Sequence, residues 1–113
     1  MNCLRTTYDG RRKVLTIRSK GDLLSTNVDP FAQEFETVLA ENADTGWEAL
    51  AFDFKQARMI DSTGLNLLQG MVRQVQDSGR QVRITISSPV VARVLRFSLL
   101  DQLAQVILHD KVR

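Results

Sequence analysis

Apolar positions along this chain follow two rhythms, one of period two and one of helical period. Cys3 to Tyr8 is a short β-prone stretch, and Asp9-Gly10 after it is a turn signal. Val14-Leu15-Thr16-Ile17 is rich in β-formers and puts Leu15 and Ile17 on one face. Two strands about this turn make a hairpin, which Gly21 ends. Asp22 to Val28 reads as a loop, with Asn27 or Asp29 as a cap and Pro30 in the first helical turn. Phe31, Phe35, Val38 and Leu39 then recur at helical spacing, and Asn42 to Gly46 closes that helix. Trp47 is expected at the edge of the core.

Ala49-Leu50-Ala51-Phe52-Asp53-Phe54 is apolar at almost every position. Such a run predicts a central strand covered on both faces, or on one face with its ends capped. A polar loop leads to Met59-Ile60-Asp61-Ser62-Thr63-Gly64-Leu65, where a second amphipathic helix starts. Leu65, Leu68, Val72 and Val75 form its apolar face, Gly70 invites close packing, and Ser78-Gly79 stops it. Val82, Ile84 and Ile86 alternate with polar residues as in a half-buried strand. Ser87-Ser88-Pro89 starts a third helix whose Val91, Val94 and Leu95 face inward. Leu99 to Leu103 is a tight connection into a last strand at Val106-Ile107-Leu108. The order is β-β-α-β-α-β-α-β. Alternation of this kind predicts an α/β fold with a mostly parallel sheet, an antiparallel N-terminal hairpin, and helices able to cover one face.

Composition narrows the function classes. The chain has 113 residues, 43% apolar and 25% charged, which suits one packed domain spanning 1–113. The net charge is only +2 and the short basic clusters, Arg11-Arg12-Lys13 and the C-terminus, form no stripe with aromatics. Nucleic-acid binding is therefore not expected. One cysteine, Cys3, allows neither an internal disulfide nor a cysteine zinc site. No signal peptide and no apolar run near 18 residues is present, so a cytoplasmic protein without direct membrane insertion is expected.

The turn at Asp61-Ser62-Thr63 is the candidate site. Unpaired N–H groups and the dipole of a helix N-terminus favour a phosphoryl group there. The same residues carry a family resemblance. Phe52-Asp53-Phe54, then Met59 to Leu65 with Leu68, then Gly79, Ser88-Pro89-Val90-Val91 with Val94-Leu95, and Ser98-Leu99-Leu100-Asp101, resemble the STAS domain of anti-sigma-factor antagonists and of anion transporters. The resemblance implies a STAS fold of four or five strands with three or four helices largely on one face.

It also implies partner switching. An antagonist of this kind binds an anti-sigma factor that is a serine kinase of the histidine-kinase-like ATPase type. It loses that partner on phosphorylation, and a serine phosphatase restores it. Carried over, Ser62 is the acceptor and Thr63 the poorer candidate. The implied contact surface is Asp22, Leu24, Ser25, Asp61, Ser62, Thr63, Gly64 and Leu65, with Gly64 letting a partner backbone approach. Asp61 would shape the loop.

Two departures matter. The family's Gly-Glu-Leu-Asp loop reads Gly21-Asp22-Leu23-Leu24 here, so Leu24 replaces a carboxylate. The sequence also stops at Arg113, without the C-terminal helix of many antagonists. Both fit a divergent member, such as the STAS subunit of a phospholipid-transport ABC complex that grips a transport ATPase. A small-anion or nucleotide sensor at the same helix start is a third reading.

Plainer readings stand beside these. Ser62 and Asp61 are ordinary cap residues, and the resemblance is what tips Ser62 toward an acceptor. Asp61, Ser62 and His109 make no nucleophilic triad, because His109 is expected on the surface. Asp53 reads as a loop-fixing group at a strand end, and no second acid is spaced with it for a metal. No phosphate-binding loop or dinucleotide fingerprint occurs. A binding module without catalytic residues, metal or cofactor is the expectation.

Overall fold

The computed structural model describes residues 3–98 and 100–109. Element order matches the sequence pattern. Strand β1 is Leu4–Asp9 and β2 Val14–Ser19, followed by helix α1, Val28–Glu41. Then come β3 (Ala49–Phe54), α2 (Ser62–Asp77), β4 (Gln81–Ile86) and α3 (Pro89–Phe97). A 3-10 turn at Leu100–Gln102 leads to β5, Gln105–Leu108. Leu99 and the basic C-terminus lie outside the described residues.

The five strands lie side by side in chain order, β1-β2-β3-β4-β5. The β1–β2 pair is antiparallel and the rest are parallel. The hairpin turns on Asp9, whose Oδ1 accepts the N–H groups of Arg11 and Arg12, and on Lys13 at φ 59°. Beyond β1, the Glu34 carboxylate of α1 accepts the N–H of Cys3 at 2.8 Å and of Leu4 at 3.3 Å. That ties the edge strand to the helix layer.

All three helices share one core with one face of the sheet. Leu15, Ile17, Leu50, Phe52, Phe54, Ile84 and Ile86 are buried there with Phe31, Phe35, Leu68, Val72, Val91 and Leu95. Val38, Val75 and Val82 join them, and Leu39, Leu65 and Val106 pack at its margin. Burying side chains of this size contributes roughly 1.5–3 kcal/mol each, which is what fixes the strand register. Phe31, Phe54, Phe52 and Phe35 form a ladder of stacked rings, with centroids 6.1, 5.8 and 5.9 Å apart in that order. Trp47 is buried at the margin with the Arg80 guanidinium 4.0 Å above its ring.

Among the described residues, the other face of the sheet carries no helix. Its rows follow from the register: Arg5, Arg18, Asp53, Thr85 and Ile107 in one, and Thr7, Thr16, Ala51, Arg83 and Gln105 in the next. The largely apolar β3 is thus covered on one face only. Its outward apolar residues, Ala49 and Ala51, are half-buried and small. Gly70 has open space where a Cβ would stand, so the close packing expected of it does not occur.

Candidate functional site

The site forms where the loop after β2 meets the start of α2, at the carboxyl edge of the parallel strands. Asp61 caps α2 from an extended conformation, φ −84° and ψ −179°. Its Oδ1 accepts the Gly64 N–H at 2.8 Å, and its Oδ2 accepts the Ser25 N–H at 2.8 Å. One carboxylate therefore holds both the helix end and a loop 36 residues earlier. Asp22 returns the connection, since its Oδ1 accepts the N–H groups of Arg58 at 2.7 Å and Met59 at 3.2 Å.

Backbone pairing completes the clamp. Leu23 and Ile60 form an isolated parallel bridge, with Leu23 N–H to Met59 O and Asp61 N–H to Leu23 O, both 3.2 Å. The loop is internally fixed by Asn27, whose Oδ1 accepts the Leu24 N–H while its Nδ2 donates to Asp22 O, both at 2.9 Å. Asn27 precedes α1 as its cap residue but makes no side-chain cap bond. The capping expected of Asn27 or Asp29 yields to loop bracing, because each Asn27 group already has a loop partner.

Gly64 is buried, and a Cβ there would collide with the Leu23 carbonyl group. The close approach it permits is thus within the chain, correcting the expectation of a partner backbone at this position. Ser62 and Thr63 are exposed in the first turn of α2, and neither side chain makes a hydrogen bond among the described residues. Leu24 and Leu65 are half-buried and Ser25 is exposed. The expected site residues therefore converge on one end of the molecule, with Gly64 beneath the surface.

Gly64 N–H, and after it Ser25 N–H, hold the Asp61 carboxyl below the ordinary aspartate value of 3.8. A depressed folded-state value means the clamp contributes fully above pH 3.8 and is lost as pH falls through that lower value. Asp61→Asn separates its two tasks. Asparagine still caps a helix, but its amide nitrogen would face the Ser25 N–H, donor to donor. We expect an intact α2, faster amide exchange confined to residues 22–25, and loss of the acid-dependent part of that exchange. Unchanged exchange at Ser25 would refute the clamp.

The remaining candidates lie elsewhere. Asp53 accepts the Lys55 N–H at 3.0 Å, as a loop-fixing group should, and also pairs with Arg18 at 3.2 Å and Lys55 Nζ at 3.7 Å. His109 is exposed beyond β5. Met71 is core. The bonds of Asp22 with Arg58 and Met59, and of Asp61 with Ser25, were not visible in the sequence, since those partners lie 36 or 37 residues away. Among the described residues, no group of acids, histidine and cysteine is arranged to hold a metal, and no helix is long and apolar enough to cross a membrane.

A mixed sheet backed on one side by helices, with a capped serine turn at its carboxyl edge, defines a STAS fold. The STAS domain model matches residues 6–112, and the chain belongs to that family. Solved structures agree in fold. A proposed anti-sigma factor antagonist from Thermotoga maritima matches at TM-score 0.76 and 18% identity, covering 96% of this chain and 87% of that one. The Bacillus cell fate determinant SpoIIAA in its phosphorylated form matches at 0.65 and 19%, covering 91% and 89%. A sulfate transporter family protein from Wolinella succinogenes matches at 0.68 and 18%, covering 86% and 78%.

Proposed function

We propose that this chain is a single cytoplasmic STAS domain, spanning residues 1–113, that acts as an anti-sigma-factor antagonist in a partner-switching pathway. It is a binding module and not an enzyme. Ser62 is the acceptor, and Thr63 is the weaker alternative. The observation that carries this reading is the exposed, unengaged Ser62 hydroxyl on a turn fixed by Asp61 and the 22–27 loop. A kinase needs such a hydroxyl held out from a rigid surface. The serine oxygen attacks the γ-phosphorus of ATP, the phosphoanhydride bond breaks, ADP leaves, and the hydroxyl proton passes to a base on the kinase. SpoIIAA, a structural neighbour, is known in a phosphorylated form, which supports the same chemistry here.

The physical consequence suits a switch. A phosphoserine adds about −1.5 to −2 charge at neutral pH. At a helix N-terminus the fold tolerates it. The docking surface of Asp22, Leu24, Ser25, Asp61, Thr63 and Leu65 would then present an added, strongly hydrated dianion beside Asp61. Binding changes while the fold does not.

The reading is tested on protein recovered from its own cells with phosphatases inhibited, in growing and stressed cultures. The expected result is one phosphoryl adduct by intact mass that varies with condition and is absent from Ser62→Ala. Ser62→Glu should weaken binding to the cognate anti-sigma kinase by at least about tenfold, roughly 1.4 kcal/mol. An unmodified protein in every condition, with Ser62→Glu still binding its partner, would overturn the switch. Leu24 in place of an acid, and the transporter-family neighbour, favour a second reading as a subunit bound to a transport ATPase. That reading predicts co-purification with the ATPase and indifference to the Ser62 variants.

A further inference from the structure

The sheet face opposite the helices is a separate surface with its own chemistry. Arg5 and Arg18 stand directly opposite each other across β1 and β2 on this face. Like charges so placed destabilise a sheet. Asp53 compensates Arg18 from the other side but is itself shared with Lys55. Among the described residues, Arg5, Arg12 and Arg83 join no ion pair.

The floor between these cations is low. β3 presents only Ala49, Ala51 and Asp53 here, with Arg83 beside Ala51 and Arg18 beside Asp53. A cleft of about 290 Å³ at the carboxyl end is lined by Arg18, Asp53, Lys55 and His109. One of about 600 Å³ at the other end is lined by Arg12, Ala49 and Arg83 among others. The two clefts lie at opposite ends of β3, and cations outnumber acids in each, where Asp53 and Glu48 respectively are the acids.

Charge differs between this face and the first helix. α1, on the opposite side, carries Asp29, Glu34, Glu36 and Glu41 and no lysine or arginine. On the sheet face Arg5, Arg12, Arg18, Lys55 and Arg83 outnumber Asp9, Glu48 and Asp53, whereas α1 carries acids alone.

We infer that the helix-free face of the sheet is a docking surface for an acidic, extended segment of a partner polypeptide, independent of the Ser62 end. Same-face positions on a strand repeat at about 6.6 Å, twice the rise per residue. Arg83 and Arg18 occupy successive rows of that spacing. An extended segment with acids at alternate positions repeats at the same interval, so one carboxylate meets Arg83 and the next meets the row that Arg18 shares with Arg5. Nucleic acid fits less well, because no aromatic side chain stands on this face among the described residues: Tyr8, Phe52 and Phe54 alternate to the other side. A lipid surface fits less well too, because exposed Met59, Val90, Phe97 and Leu108 all lie off this face.

The probe is a fluorescein-labelled peptide of alternating glutamate and threonine, titrated into the full chain labelled with nitrogen-15. Amide shifts are expected at residues 5–7, 16–18, 49–53 and 83–85. Arg5→Glu with Arg83→Glu should weaken binding at least tenfold, while Arg93→Glu with Arg96→Glu on α3 stays within twofold. Arg5→Glu alone should raise Tm without peptide, by relieving its clash with Arg18, and still bind more weakly. A structural role for Arg5 would not give that pairing. Should the double variant fail to fold, Arg83→Gln alone carries the same test.

Shifts centred on residues 58–65, equal loss in both double variants, or tighter binding to oligouridylate or phosphatidylserine vesicles would overturn the proposal. So would a concentration-dependent rise in sedimentation mass, which would assign the face to α1 of a second copy. Ser62→Glu should leave peptide binding unchanged, so this test and that of the Ser62 switch fail separately.

Discussion

Gly64→Ala is expected to destabilise the protein by about 2–3 kcal/mol, although alanine is the better helix former by about 1 kcal/mol. The reason is the Leu23 carbonyl group, which occupies the space a Cβ would need. Backbone cannot swing aside as a flexible side chain can. The loop must move as a body, stretching the Asp61 N–H to Leu23 O bond and the Asp61 to Ser25 bond together. Gly70→Ala, in the same helix with open space around it, should instead stabilise by roughly 0.5–1 kcal/mol. Urea denaturation of the two variants side by side makes the comparison. A stabilised Gly64→Ala would mean that the loop is not seated on α2 as described. The destabilised variant should also show displaced amide signals for residues 22–25, because that loop is what yields.

Phe52→Ala should cost about 3–5 kcal/mol, within the range for emptying a large buried aromatic site. Phe52 is fully buried and sits inside the ladder, stacked on Phe35 of α1 and on Phe54. Its loss opens a cavity at the centre of the joint between sheet and first helix, and removes two ring contacts worth roughly 0.5–1.5 kcal/mol each beyond their area. Against a total stability of about 5–15 kcal/mol, that brings a domain of this size near its unfolding limit. The measurement is the urea midpoint with the slope unchanged. A shift equivalent to under about 1 kcal/mol would mean the rings are not a closed stack.

Much of the fold could be read from residue spacing, because burial imposes it. Leu15 and Ile17, Val82 and Ile84, and the Phe31–Phe35–Val38 face each repeat at the period of their element and lie in the core. β3 was read less completely. Its largely apolar run fitted either two covered faces or one, and only one is covered. Ala49 and Ala51 are too small to demand burial, so hydrophobicity without size left the choice open. The site was legible as a place but not as a mechanism of support. Asp61 as a cap follows from local sequence. Its second bond to Ser25, the return bonds from Asp22 to Arg58 and Met59, and the Leu23 contact that requires Gly64 all join distant segments. Nothing in local spacing encodes them. Asn27 shows a different limit, since its partners Leu24 and Asp22 are local and a cap-like residue spends its side chain on the loop instead. The paired arginines of the open face needed the β1–β2 register before they could be seen.

The strand order has a consequence for how the chain is made. Every strand in β1-β2-β3-β4-β5 is laid beside the one synthesised just before it, and none is inserted between two that already pair. A nascent chain can therefore extend its sheet in one direction as it leaves the ribosome, without reopening what has formed. The transient cost is the growing edge, with unpaired backbone groups until the next strand arrives. The clamp between the 22–27 loop and the start of α2 uses residues no later than Leu65. The end of the molecule that carries Ser62 is thus complete in covalent content before β4, α3 and β5 have been translated.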